Sequence, residues 1–184
     1  MRLMPYDELP TFNTEGGGLV LRPIRESDTA DIIRWRNSPT VRSCFIYQDE
    51  LTAEHHLAWF HDKVMKGSVV QYLAIERSSE LPIGSVYYQH FDDNASRAEF
   101  GIFIGEDIAR GKGYGSDLCK SFTTFGICEL QLHSVYARVL SDNIPSRRIF
   151  LRNGYKEEGI ARDMVRIGDE YRDVVFYSYI AQGD

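Results

Sequence analysis

Between positions 102 and 116 an apolar strand-like run, Ile102-Phe103-Ile104, leads through a turn with glycines at 111, 113 and 115 into a helix that opens near Ser116. Glycines crowded into one turn lower stability unless the backbone needs their freedom, so this turn meets a backbone requirement. A helix opening directly behind it aims unpaired N–H groups and a positive helix end at one spot, and an anionic ligand is expected there. Two phosphate-binding loops fail the spacing. A Walker loop would need glycine at 106 and serine or threonine at 113, where the chain has Glu106 and Gly113. A dinucleotide fingerprint would need its last glycine at 116, which is serine, and repeated strand–helix–strand units around it. The bland alternative is a glycine-rich turn that binds nothing.

The chain of 184 residues, 43% hydrophobic and 26% charged, has the material for one buried core. Its 21 basic and 27 acidic residues leave a formal charge of −6, which argues against non-specific nucleic-acid binding. Cys44, Cys119 and Cys128 have no C-x-x-C spacing and are odd in number, as in a reducing compartment. No apolar run nears the ~20 residues of a membrane span and the first residues carry no secretory pattern, so a cytoplasmic location is expected.

Residues 1–18, with two prolines and Gly16-Gly17-Gly18, read as an arm ahead of one domain over 19–184. Patterning then predicts a strand over 19–24 and a helix capped by Ser27 or Asp28. A second helix follows over 52–66, capped by Thr52 and closed by Gly67. Strands are expected at 69–76, 83–90, 97–104 and 134–140, helices at 116–129 and 145–152, and two closing strands near 158–166 and 171–180.

The pattern that fits the turn is Arg-x-x-Gly-x-Gly, met as Arg110, Gly113 and Gly115. It is preceded by Ala98-Glu99-Phe100-Gly101 and followed by Leu132-His133-Ser134-Val135, Asn143-x-x-Ser146 and Asn153-Gly154-Tyr155. In this order the segments resemble the GNAT superfamily of acyl-CoA N-acyltransferases. Arg34-Trp35-Arg36-Asn37-Ser38-Pro39 and Gly168-Asp169-Glu170-Tyr171-Arg172-Asp173 look like its RimJ/RimL-type branch. The resemblance implies an α+β, three-layer α/β/α fold. Its central sheet would be mixed, mostly antiparallel, of about seven strands splayed at the cofactor, with about four flanking helices.

For function the resemblance implies N-acetyl transfer from acetyl-CoA, without a metal, by direct attack in a ternary complex. The cofactor would lie on the turn, Arg110, Gly111, Lys112, Gly113, Tyr114, Gly115 and Ser116, on the main chain of Phe103 and Ile104, and on Asn143 and Ser146. An alkyl amine is mostly protonated at neutral pH and must lose a proton before it attacks, and Glu99 is the expected base. The alternative for Glu99 is a strand-end charge paired with Arg97. The family often places a tyrosine seven residues beyond the asparagine to protonate the leaving thiolate. Here that position is Phe150, which has no proton to give, and Tyr155 is the nearby candidate. His55, His56 and His61 lack the i, i+4 spacing of a zinc helix.

Acceptor recognition is expected from roughly 34–60 and the loops near 88–96 and 165–171, above all from Arg34, Trp35, Arg36 and Asn37, which combine cations, an aromatic face and an amide, and from His90 beside an acidic loop. The packing alternative puts Trp35 in the core and the arginines on an exposed helix face. Expected partners are a small-molecule amine, such as a polyamine or nucleotide-linked amino sugar, or a protein N-terminus. No nucleic acid and no membrane is expected, and a homodimer is left open. The other class is a non-catalytic acyl-CoA-binding module.

Overall fold

A computed structural model describes residues 4–181 of the chain; residues 1–3, part of the expected arm, and 182–184 lie outside the described residues. Eight strands form one sheet in the order β1-β2-β3-β4-β5-β6-β8-β7. They are β1 (Phe12–Asn13), β2 (Leu19–Pro23), β3 (Val70–Glu76), β4 (Leu81–Asp92), β5 (Arg97–Ile104), β6 (Ser134–Leu140), β7 (Lys156–Ile167) and β8 (Glu170–Ile180). The strand beyond the expected seven is β1, formed within the lead-in and paired with β2 through Phe12↔Leu21.

All neighbours are antiparallel except β5 and β6, which run parallel and pair only over Arg97↔Ser134, Ala98↔Val135 and Glu99↔Tyr136. Past Glu99 the two strands part, β5 staying with β4 and β6 with β8. The sheet is therefore open along one internal seam, which starts at Glu99.

Alternation along the strands builds a core on each face. On one side α4 (Tyr114–Cys128) and α5 (Ile144–Arg152) bury Leu118, Phe122, Phe125 and Phe150 against Phe100, Val135, Ala137 and Tyr177. On the other, α1 (Thr29–Asn37), α2 (Pro39–Arg42) and α3 (Ala53–Trp59) bury Ile32, Trp35, Val41 and the following Phe60 and Val64 against Leu73 and Phe103. The helix expected over 52–66 is α3 continued by a wider π turn over Phe60–Val64, and Thr52 caps it by accepting the His55 N–H. Short α2 supplies the helix beyond the expected four. It forms because Pro39 ends α1 and suits the first turn of a new helix. Among the described residues no helix is long and apolar enough to cross a membrane.

Candidate active site

The seam between β5 and β6 opens into a cavity of about 660 Å³ whose walls come from both strands, the glycine turn, α5 and the loop after α2. Gly113 sits at the head of α4 with φ +85°, a conformation that an L side chain adopts only with strain. Open space surrounds the position where its Cβ would be. Behind it the first turn of α4 offers N–H groups without intrahelical partners. Gly111, Gly113, Tyr114, Gly115 and Ser116 all line the cavity, so the glycine turn and the head of α4 form its end.

Side chains of the turn brace it. Arg110 donates to the Ile104 carbonyl at 3.1 Å, tying the turn to the end of β5. Lys112 and Tyr114 both reach Glu76 at the end of β3, at 3.1 and 2.6 Å. Bonds from Ser79, Tyr114 and Lys112 hold the Glu76 carboxyl down at about 2. Lys112 is thus pointed at a carboxylate and does not line the cavity, whereas Phe103, Ile104 and Arg110 do. On the α5 side, Asn143 and Ser146 are part of the wall. The Asn143 side-chain oxygen caps α5 by accepting the Ser146 N–H at 3.2 Å. Phe150 lies in the same wall, only 2% exposed, edge-on to Phe100 and stacked on Tyr177. The Tyr155 hydroxyl is spent on Thr123 at 2.6 Å in the core.

At the other end, where the seam begins, Glu99 faces the cavity and is buried, 6% exposed. Its partner is not Arg97, which pairs with Asp92 instead. Arg138 of β6 donates to Glu99 through Nε to Oε1 at 2.9 Å and a terminal nitrogen to Oε2 at 3.1 Å. His90 Nδ1 lies 2.6 Å from the same Oε2. Above this corner are Tyr87, Gln89, Phe45 and Tyr47. The Tyr87 ring lies flat on the strand because position 101 is glycine: a Cβ there would stand 2.0 Å from the ring. Burial pushes the Tyr87 phenol up to about 12.

The expected acceptor residues fall elsewhere. Trp35 is 1% exposed in the core and donates its indole N–H to Glu106 at 2.9 Å. Arg34 bonds Asp31 and the same Glu106. Asn37 exchanges two hydrogen bonds with the Leu51 backbone. None of these three lines the cavity. Arg36 stands behind it, its guanidinium 3.6 Å from the Phe45 ring centroid. The residues not singled out in the sequence are Arg138 and Tyr87, and also Phe45, Tyr47 and Gln89, which fall within the segments 34–60 and 88–96 expected to meet the acceptor. Arg138 left a trace, as a charge in the middle of an otherwise apolar strand; the rest are gathered only by the fold.

A family model described as "Acetyltransferase (GNAT) domain" matches residues 18–156. The chain is 23% identical over 165 residues to the uncharacterized N-acetyltransferase p20 of Bacillus licheniformis, covering 88% of this chain and 92% of that one. It is 23% identical over 156 residues to the spermidine N(1)-acetyltransferase of Vibrio cholerae, covering 85% and 89%. The solved spermidine N-acetyltransferase of Vibrio cholerae, in complex with CoA and spermine, shares the fold with a TM-score of 0.83 at 20% identity, over 89% of this chain and 95% of that one. An acetyltransferase (GNAT family) from Bacillus anthracis does so with a TM-score of 0.78 at 20% identity, over 93% and 98%.

Proposed function

Because this chain belongs to the GNAT acetyltransferase family, we propose that it is an acyltransferase that moves the acetyl group of acetyl-CoA to a primary amine, carried by a small molecule or by a protein N-terminus, by direct attack in a ternary complex. The carrying observation is that one cavity joins the anion cradle of the glycine turn, the open edge of β5 and the Glu99 carboxylate. Acetyl-CoA supplies an acyl group activated as a thioester. The N–H groups at the head of α4 suit its pyrophosphate, and Arg110 holds the turn that presents them. The main chain of Phe103 and Ile104, past the point where β5 and β6 part, suits the pantetheine amides, although the Ile104 carbonyl already accepts from Arg110. Asn143 and Ser146 close the opposite wall.

Glu99, at the inner end of this path, is the carboxylate around which the amine proton is removed. Position 150, a phenylalanine, gives the departing thiolate no proton, and the Tyr155 hydroxyl is occupied by Thr123. That same gap favours the second reading, a module that binds acyl-CoA without turnover. Incubation with acetyl-CoA and a panel of polyamines, amino sugars and peptide N-termini, following free thiol, separates the two. Thiol release with any amine supports the transferase. Calorimetric binding of acetyl-CoA with no release across the panel supports the binding module.

A further inference from the structure

Strict alternation along β4 would put His90 on the same sheet face as Tyr88, which is packed against α4. Instead His90 has φ +52° and the pairing with β5 slips between Gln89 and Asp92. The bulge turns the imidazole onto the Glu99 face, and a left-handed backbone at a histidine is a local cost that the fold accepts here. The ring remains 59% exposed while the carboxylate that it touches is 7% exposed.

We propose that His90 takes the proton from the acceptor amine, with Glu99 as a positioning residue and Arg138 as the group that holds Glu99 in place; this rests on the transferase reading above. A carboxylate offers about four acceptor directions, and two bonds from Arg138 and one contact from His90 occupy three of them. Transfer of the amine proton to Glu99 would have to displace a donor or use the last direction in a buried corner. Glu99 as a carboxylate can only accept, so the hydrogen of the His90 contact sits on Nδ1. In the neutral ring that fixes the tautomer and leaves the lone pair on Nε2.

Gln89 and Glu99, the sequence neighbour and the partner of His90, both line the cavity at the inner end of the seam. His90 itself is not part of the cavity wall, so the proton of an amine seated beside Glu99 passes to Nε2 through one water. The amine nitrogen forms its bond to the acyl carbon, the carbon–sulfur bond breaks with its electron pair leaving on sulfur, and the N–H proton goes to Nε2. Glu99 balances the imidazolium, which returns its proton to solvent through the exposed edge of the ring. Other charged or titratable groups of this corner are Tyr47 of the loop after α2, Tyr87 and Asp92 of β4, Arg97 of β5, which pairs with Asp92, and Tyr136 of β6, whose phenol burial pushes up.

Nitrogen-15 NMR of the histidine side chains tests the geometry without any acceptor. The neutral His90 ring is expected as the Nδ1–H tautomer in the parent, and as a mixture in Glu99→Gln. A parent ring found as Nε2–H overturns the proposal. With an amine that releases thiol, His90→Gln should lose about 10²-fold in kcat at an unchanged KM for acetyl-CoA. Its rate at low pH should follow the amine alone, and added imidazole should restore part of the loss. His90→Asn, which tolerates positive φ, guards against a backbone effect and should behave alike. Parental turnover and pH profile in either folded variant overturns the proposal. Absence of thiol release from the parent with every amine instead overturns the transferase reading on which the proposal stands.

Discussion

Gly113 carries the clearest constraint on a single residue, because its backbone conformation and the open space beside it serve the same end. Replacing it by glutamate puts strain and a negative charge into the turn proposed to hold the cofactor's pyrophosphate. Gly113→Glu is expected to abolish acyl-CoA binding measured by calorimetry while the protein stays folded by circular dichroism. Gly115→Glu should do the same, and additionally presses on Ile149, which a Cβ would approach to 2.8 Å. Arg110→Ala should weaken binding less, since Arg110 braces the turn from the Ile104 carbonyl. Unchanged affinity in either folded glutamate variant would remove the turn from the cofactor site.

Among the elements, β3 is joined to the glycine turn, and α5 is capped, by contacts that are individually modest. Glu76 ties β3 to Lys112 and Tyr114, and its carboxyl titrates at about 2 rather than at the ordinary 4.5. A depressed carboxylate stabilises the fold fully above its unfolded value and loses that contribution as pH falls through its folded one. The melting temperature of the parent should therefore exceed that of Glu76→Gln at neutral pH, and the gap should shrink between pH 4.5 and pH 2. A gap independent of pH would show that the bonds to Glu76 do not depend on its charge. In α5, Asn143→Ala removes the cap on Ser146 and should cost about 1 kcal/mol in denaturant unfolding. It should also raise the KM for acetyl-CoA more than that for the acceptor. A stability loss with unchanged cofactor kinetics would make Asn143 a cap alone.

For the whole molecule, the lead-in is held to the sheet and to α4 before the chain reaches the glycine turn. Phe12 stacks on Phe125 with centroids 5.1 Å apart, the Glu15 N–H donates to Ser121, and the Gly16 N–H donates to Asp117. These contacts fall on the helix whose first turn faces the anion cradle. Phe12→Ala is expected to cost roughly 2–4 kcal/mol in denaturant unfolding, as for other large-to-small changes against a core. A loss below the error of the extrapolation would mean that β1 is dispensable. The parting of β5 and β6 is equally a property of the whole: each strand keeps one partner, and the gap left between them is the cavity.

Periodicity and turn chemistry, both local, were enough to determine most elements of this protein. The strand over 97–104 agrees residue for residue, and the Thr52 cap and the stop at Gly67 stand where local backbone preferences put them. The glycine turn was legible for the same reason, since positive φ and a helix start leave marks within a few residues. What only tertiary structure decided is where long-range partners go. Trp35, Arg34 and Asn37 look like ligand-binding groups along the chain, yet Glu106 and the Leu51 backbone, far away in sequence, take up their polar atoms. Glu99 was visible, but Arg138 reaches it from another strand and His90 reaches it only because a bulge reverses its face. Side-chain direction at a bulge and pairing across a parallel seam depend on how strands register, which no local window of sequence contains.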